Sequence, residues 1–158
     1  MNSIGKIMTL EKPHWLRKRL PVDDDSKKVE QDLTIRRLHT ICQEACCPNQ
    51  GECFSKGVAT FLIMGNVCTR NCRFCAVSSG KPVPLDHDEP ERLASEVSSL
   101  GLRFVVITSV TRDDLPDGGA NHFARLIRII RERCRGVGVE VLIPDFNGCK
   151  SSLGIVIN

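Results

Sequence analysis

Cys68, Cys72 and Cys75 lie within the eight residues CTRNCRFC, with three residues between the first pair and two between the second. Thiolates are soft ligands, suited to zinc, copper(I) and iron–sulfur clusters. A structural zinc closes its tetrahedron with four protein ligands, usually two short-spaced pairs of Cys or His. This loop offers three. The next histidine, His87, stands beyond Pro82 and Pro84 and is badly placed to be the fourth. A [4Fe-4S] cubane has four irons, so three thiolates leave one iron open to a substrate or cofactor. The competing readings are a zinc site completed from elsewhere and a loop with three incidental thiols. A second group lies upstream, where CQEACCPNQGEC carries Cys42, Cys46, Cys47 and Cys53. Spacing alone allows several ligand triplets there, Cys42, Cys46 and Cys53 among them, and does not choose. Two-cluster ferredoxins use shorter, repeated C-x₂-C spacing, which is absent.

Nine cysteines in 158 residues would suit a disulfide framework in a secreted domain. The start, MNSIGKIMTLEKPHWLRKRL, has no apolar stretch followed by a small-residue cleavage site, and its arginines come only after Glu11. A reducing compartment is therefore expected, where clustered thiols are metal ligands or catalytic groups. A net charge of +3 with basic residues interleaved among 19 acids argues against nucleic acid as a partner. No apolar run reaches 18 residues, so no membrane span is expected.

These thiols need elements to position them. Val58 to Met64 is a β-branched and aromatic run of strand length, and CTRNCRFC follows it. Glu89 to Leu100 suits a helix, with Pro90 in its first turn and Gly101 just past its end. Phe104 to Thr108 is a continuous apolar run of the kind buried on both faces of a parallel sheet. After the polar loop TRDDLPDGGAN, Phe123, Leu126, Ile127, Ile130 and Cys134 mark one helix face, Gly136 and Gly138 end it, and Val139 to Ile143 reads as a third strand. Strand, helix, strand, helix, strand implies right-handed parallel βαβ units, an α/β class, and chemistry in loops at the carboxyl ends of strands. Residues 1 to 41 read as a polar arm, with a short helix over Leu33 to Ile41, and Cys42 to Gly57 as a Cys-rich loop. Two regions are expected: an irregular Cys-rich extension over 1–57 and the beginning of a barrel over 58–158. Three strands cannot close a barrel.

The stretches KPHWLRKRLP, CQEACCPNQGECFSKGVATFLIMGNVCTRNCRFCAV, VVITSVTRDDLPDGGANHFA and EVLIPDF together resemble the lipoyl synthase family, within the radical S-adenosylmethionine (radical SAM) superfamily, from Lys12 to Phe146. The resemblance implies a partial (β/α)₆ TIM-like barrel and two [4Fe-4S] clusters. It assigns Cys68, Cys72 and Cys75 to a cluster whose open iron binds S-adenosylmethionine, and Cys42, Cys47 and Cys53 to an auxiliary cluster, leaving Cys46 as an extra thiol. It implies radical insertion of two sulfur atoms at carbons six and eight of a protein-bound octanoyl chain, with the auxiliary cluster as sulfur source. The partners implied are octanoylated lipoyl domains of 2-oxoacid dehydrogenase E2 subunits and the glycine cleavage H protein, with ferredoxin or flavodoxin as electron donor. The compartment implied is the bacterial cytoplasm, or alternatively the mitochondrion or plastid.

Within that resemblance, the loop from Thr108 to Asn121 meets the methionine end of the cofactor. Gly118 and Gly119 allow close backbone approach, and Asp113 and Asp114 either bond ligand amines or cap the loop. Phe74 packs on the adenine or is buried by its own loop. Arg70 and Arg73 either offset cluster charge or are solvated. Asn121 is expected to cap a helix, Cys134 to lie in the core, and His14, His39, His87 and His122 to have surface or packing roles; Cys149 is assigned none. The family continues for about as many residues again, to a serine that completes the auxiliary cluster, and Ser151 and Ser152 do not match that serine. The expectation is a chain truncated after the third strand and inactive alone. The alternatives are another radical enzyme with an auxiliary cluster and a non-catalytic iron–sulfur or zinc-binding fragment.

Overall fold

A computed structural model describes residues 13, 24–45, 47–55 and 58–158. Most of the polar arm, including His14, lies outside these residues, as does Cys46. Along the chain come α1 (Asp24–Ile35), β1 (His39–Thr40), α2 (Ile41–Glu44), α3 (Gln50–Ser55), β2 (Thr60–Ile63), β3 (Val67–Cys68) and β4 (Ser78–Ser79). They are followed by α4 (Glu89–Ser99), β5 (Phe104–Ser109), α5 (Ala120–Arg133), β6 (Gly138–Leu142), a 3₁₀ turn at Phe146–Gly148 and α6 (Lys150–Ile157).

The three strands read from the sequence are present, and β2, β5 and β6 run parallel. Thr60 pairs with Val106 and Ile63 with Ser109, while Phe104 pairs with Gly138 and Thr108 with Leu142. The expected three-strand sheet needs one correction. β1 adds an antiparallel fourth strand beside β2, giving the order β1-β2-β5-β6. Two residues carry no readable alternation, yet their backbone covers the hydrogen-bonding edge that β2 would otherwise expose.

A second correction concerns the helix expected over Leu33 to Ile41. It starts at Asp24 and stops at Ile35. Arg37 takes a left-handed conformation (φ 53°), Leu38 N–H donates to Leu33 C=O at 2.9 Å, and Arg37 N–H donates to Thr34 C=O at 3.1 Å. This six-to-one and five-to-two pair is a Schellman stop, usually built on glycine. Leu33 and Leu38, at its two ends, are both buried.

The core lies where α4 and α5 cover the sheet. Phe61, Leu62 and Ile63 are all buried, as expected of a strand flanked on both edges, and Leu93, Val97, Phe123, Leu126 and Ile130 supply the helical side. Burying a side chain of this size contributes about 1.5–3 kcal/mol. Val29 and Leu33 of α1, Leu38, and Phe54 of α3 belong to the same core as the sheet. Cys134 is buried at the end of α5, as the helix face implies, with its Sγ 3.4 Å from Ala94 C=O.

Candidate metal centre

At the carboxyl end of β2 the chain turns through Met64 (φ 67°) and Gly65 (φ 89°). It then forms β3, which pairs in parallel with β4: Val67 with Ser78 and Cys68 with Ser79. Gly80 N–H donates to Cys68 C=O at 2.9 Å. The thiol loop is thus pinned at its base. Cys68 Sγ accepts from the backbone N–H groups of Arg70 (3.4 Å) and Thr111 (3.3 Å). N–H dipoles aimed at a sulfur suit one that carries negative charge, and such bonds tune iron–sulfur centres. Cys72 and Cys75 are exposed, joined by a turn in which Cys75 N–H donates to Cys72 C=O at 3.0 Å. Phe74, between them, is 93% exposed, so its own loop does not bury it.

Arg70 ties three loops together. Its guanidinium donates to both oxygens of Asp113 (2.8 and 2.9 Å), to Asp145 Oδ2 (2.8 Å) and to Asn147 Oδ1 (2.6 Å). Asp113 follows β5, and Asp145 and Asn147 follow β6, so one side chain spans the carboxyl ends of all three parallel strands. The Arg70 bonds hold the Asp113 carboxyl down to about 2, with help from Thr69 and Asn147, and hold Asp145 below its usual value. Arg73 is exposed. Asp114 is taken up by Arg112, which donates to both its oxygens (2.9 and 2.8 Å) and lowers its pKa.

The loop after β5 ends in a cap that differs from the one read in the sequence. Asn121 sits inside α5, and Asp117 caps it by accepting from the N–H groups of Gly119 (3.0 Å) and Asn121 (2.8 Å). Asp117 can do so because Gly118 and Gly119 both turn through positive φ (62° and 90°). A Cβ at Gly118 would stand 2.9 Å from the Phe146 ring, and one at Gly119 would overlap Met64 Sδ. Both glycines therefore serve the fold's own packing. A cleft of about 150 Å³ opens beside them, lined by Asp113, Gly118, Asn147 and Cys149 among others.

Upstream, Thr40 caps α2, accepting from Gln43 N–H at 3.2 Å, and Cys47 N–H donates to Cys42 C=O at 2.9 Å, which folds the motif back on itself. Burial pushes the Cys42 thiol up, a bond from the Thr60 backbone opposes it, and the nearby Cys47 and Cys53 push it up further. Cys47 and Cys53 thus stand near enough to Cys42 to act on its thiol. A tetrahedral zinc needs sulfurs about 4 Å apart, and among the described residues no three His, Cys, Asp or Glu side chains stand close enough to hold a metal ion. The donor set still fits an iron–sulfur group: soft thiols, none in a disulfide among the described residues, with Cys68, Cys72 and Cys75 in one loop at the sheet's carboxyl end and Cys68 already receiving two N–H bonds.

Three features were missed from the sequence: the Arg70 tie, the buried Arg112, and a buried pair in which His122 Nε2 lies 2.7 Å from Glu89 Oε2. His122 thereby has the packing role expected of it. His39 faces Glu44 at 3.5 Å, and the His87 carbonyl accepts from Arg125 at 2.9 Å. Only the Asp-rich text around Arg112 offered any signal.

A profile of the Radical SAM superfamily matches residues 62–148. The chain is 55% identical over 150 residues to a lipoyl synthase of Caldanaerobacter subterraneus, covering 95% of this chain and 52% of that protein. It is 57% identical over 148 residues to a lipoyl synthase of Caldicellulosiruptor bescii, covering 94% and 51%. Against a lipoyl synthase of Chromobacterium violaceum it is 53% identical over 139 residues, covering 88% and 44%. The chain thus spans about half the length of the curated relatives it matches, and the similarity is to their amino-terminal half. Among the described residues no helix is long and apolar enough to cross a membrane.

Proposed function

The chain belongs to the Radical SAM superfamily, and on that premise we propose that it carries the two thiol groups of a lipoyl synthase. Cys68, Cys72 and Cys75 would hold a [4Fe-4S] cluster with one iron open to S-adenosylmethionine, and Cys42, Cys47 and Cys53 an auxiliary [4Fe-4S] cluster. When bound, these groups supply radical chemistry at an unactivated C–H bond and sulfur for insertion at carbons six and eight of an octanoyl chain. The chain's own residues orient. Arg70 N–H and Thr111 N–H hold Cys68 Sγ; Asp113, with Gly118, lines the cleft where the cofactor's methionine end would lie, and Gly119 follows at its edge; exposed Phe74 offers a face for its adenine. Octanoylated lipoyl domains of 2-oxoacid dehydrogenases and the glycine cleavage H protein are the proposed substrates, with a ferredoxin or flavodoxin as reductant, in a reducing compartment such as a bacterial cytoplasm.

The observation that carries this reading is the placement of CTRNCRFC. The loop leaves the carboxyl end of the first parallel strand, its base is closed by β3 and β4, and its first sulfur is met by two backbone donors. Iron and acid-labile sulfide, measured after anaerobic reconstitution, test it. Replacing Cys68, Cys72 and Cys75 with Ala should remove about half the iron, since one cluster of two is lost. Unchanged iron in that variant, or zinc bound without sulfide, sinks the assignment, and the latter would establish a zinc-binding module. In the auxiliary motif, Cys47→Ala should lose the second half of the iron.

A further inference from the structure

The exit from β2 is held by groups that the proposed chemistry does not use. Met64 is buried and left-handed (φ 67°), a conformation strained for any residue with a Cβ. Both of its backbone groups are taken by side chains from elsewhere. Its N–H donates to Glu89 Oε2 at 2.9 Å, and its C=O accepts from Arg112 Nη1 at 3.2 Å. Glu89, at the first turn of α4, is itself met by His122 of α5 at 2.7 Å. Arg112 also donates to Val83 C=O at 3.2 Å and is anchored on Asp114. The Met64 side chain fills the space that Gly119 leaves by having no Cβ. Arg112, Glu89 and His122 are all buried, at 2%, 4% and 5% exposure. Burying three such groups costs free energy unless they are fully paired. Here the pairing converges on the two peptide groups that flank one residue, four residues before the first thiol.

We propose that Glu89, backed by His122 and opposed by Arg112, is a positioning residue that holds Met64 left-handed and so aims the Cys68 loop. Glu89 touches no thiol. It acts through the direction in which the chain leaves β2, which decides whether Cys68 Sγ arrives under the N–H groups of Arg70 and Thr111. The inference deepens the proposed function, because the loop it aims is the one assigned to the cluster. Its geometric content does not require iron.

The test therefore uses the reduced, iron-free full chain, and reads the alkylation rate of Cys68 against that of exposed Cys72 by peptide mass spectrometry under native conditions. Glu89→Ala should raise the Cys68 rate about tenfold, as the loop samples other exits. Glu89→Gln keeps an acceptor for Met64 N–H and should stay within about threefold of the parent. Adding Met64→Gly to Glu89→Ala should return the rate toward the parent, because glycine takes positive φ without strain. A group that merely fills the core predicts the reverse, since losing the Met64 side chain would add damage. The proposal is overturned if Glu89→Ala leaves Cys68 as slow as in the parent, if Glu89→Gln is as fast as Glu89→Ala, or if Met64→Gly brings no recovery of rate or, in an unfolded Glu89→Ala chain, of folding. A parent chain that binds no iron on reconstitution, while the three variants alter the Cys68 rate as stated, would refute the cluster assignment and leave this inference standing.

Discussion

Gly119→Ala separates two reasons for a glycine beside the cleft. If Gly119 is there to let a ligand approach, a methyl group should leave the free protein's stability unchanged and weaken binding. The structure says otherwise. An alanine at φ 90° carries left-handed strain of about 1–2 kcal/mol. Its Cβ would also overlap Met64 Sδ and stand 2.7 Å from Met64 Cε. Met64 is a flexible side chain, but at 3% exposure its Sδ and Cε can move aside only by displacing packed neighbours. Overpacking of this kind costs about 1–3 kcal/mol. The sum is about 2–5 kcal/mol, which for a chain of this length lowers the melting temperature by roughly 4–20 °C. Gly101→Ala is the control: Gly101 has φ 59° and nothing within 4 Å of an added Cβ, so only the strain applies. Circular-dichroism melts and urea titrations of parent and both variants measure the difference. Equal losses in the two variants would show that the Met64 contact contributes nothing. A Gly119→Ala chain as stable as the parent, with S-adenosylmethionine affinity lost, would refute the packing argument outright.

Arg70→Ala should cost most stability at neutral pH. Asp113 titrates at about 2 in the fold against an ordinary 3.8, so its contribution is complete above about pH 4 and disappears as pH falls toward 2. Urea midpoints of parent and variant should therefore converge over that range, and a constant gap would contradict the tie. Cys149, whose thiol is lowered to about 7 by bonds from Ser151 and Ser152, should react with iodoacetamide along a pH profile with its midpoint near 7. Ser151→Ala should move that midpoint up, whereas a midpoint near 9 in the parent would remove the assignment. Glu96 is buried, and burial raises its pKa even though Arg36 Nε forms an ion pair at 2.5 Å without hydrogen-bond alignment. Its folded-state pKa exceeds its unfolded one, so its contribution is complete below the unfolded value and is lost as pH rises through the folded value. Glu96→Gln should flatten that loss, and identical pH–stability curves for parent and variant would count against it.

The parallel strands and the two covering helices could be read in advance because each is long enough to show its period, as the Phe123, Leu126 and Ile130 stripe does. β1 was hidden, since two residues have no pattern, and α1 was misplaced because its stop uses Arg37 where glycine gives the usual signal. The thiol spacing was legible, being local. The Arg70 tie was not, since its partners lie 43, 75 and 77 residues away. Glu89 looked like an ordinary acid in a helix's first turn, where solvation is the rule, and only the tertiary fold turns it inward to the Met64 peptide. Asn121 and Asp117 are both capping residues by type, and the φ values of Gly118 and Gly119 decide between them.

β2 also acts as a ruler. Cys42 receives a bond from the backbone of Thr60, the strand's first residue, and the loop bearing Cys68 leaves just beyond Ile63, its last. The three residue-to-residue rises from Thr60 to Ile63, at about 3.3 Å each, put roughly 10 Å of backbone between these two attachments. An inserted residue would lengthen that span and turn every later side chain to the opposite face of the sheet, so Phe61 and Ile63 could not both stay in register with their present neighbours. The smallest change that respects the pleat is two residues, or about 7 Å. The part of the spacing that lies within β2 is therefore quantised by the strand, so a length change there comes in even steps or through a bulge.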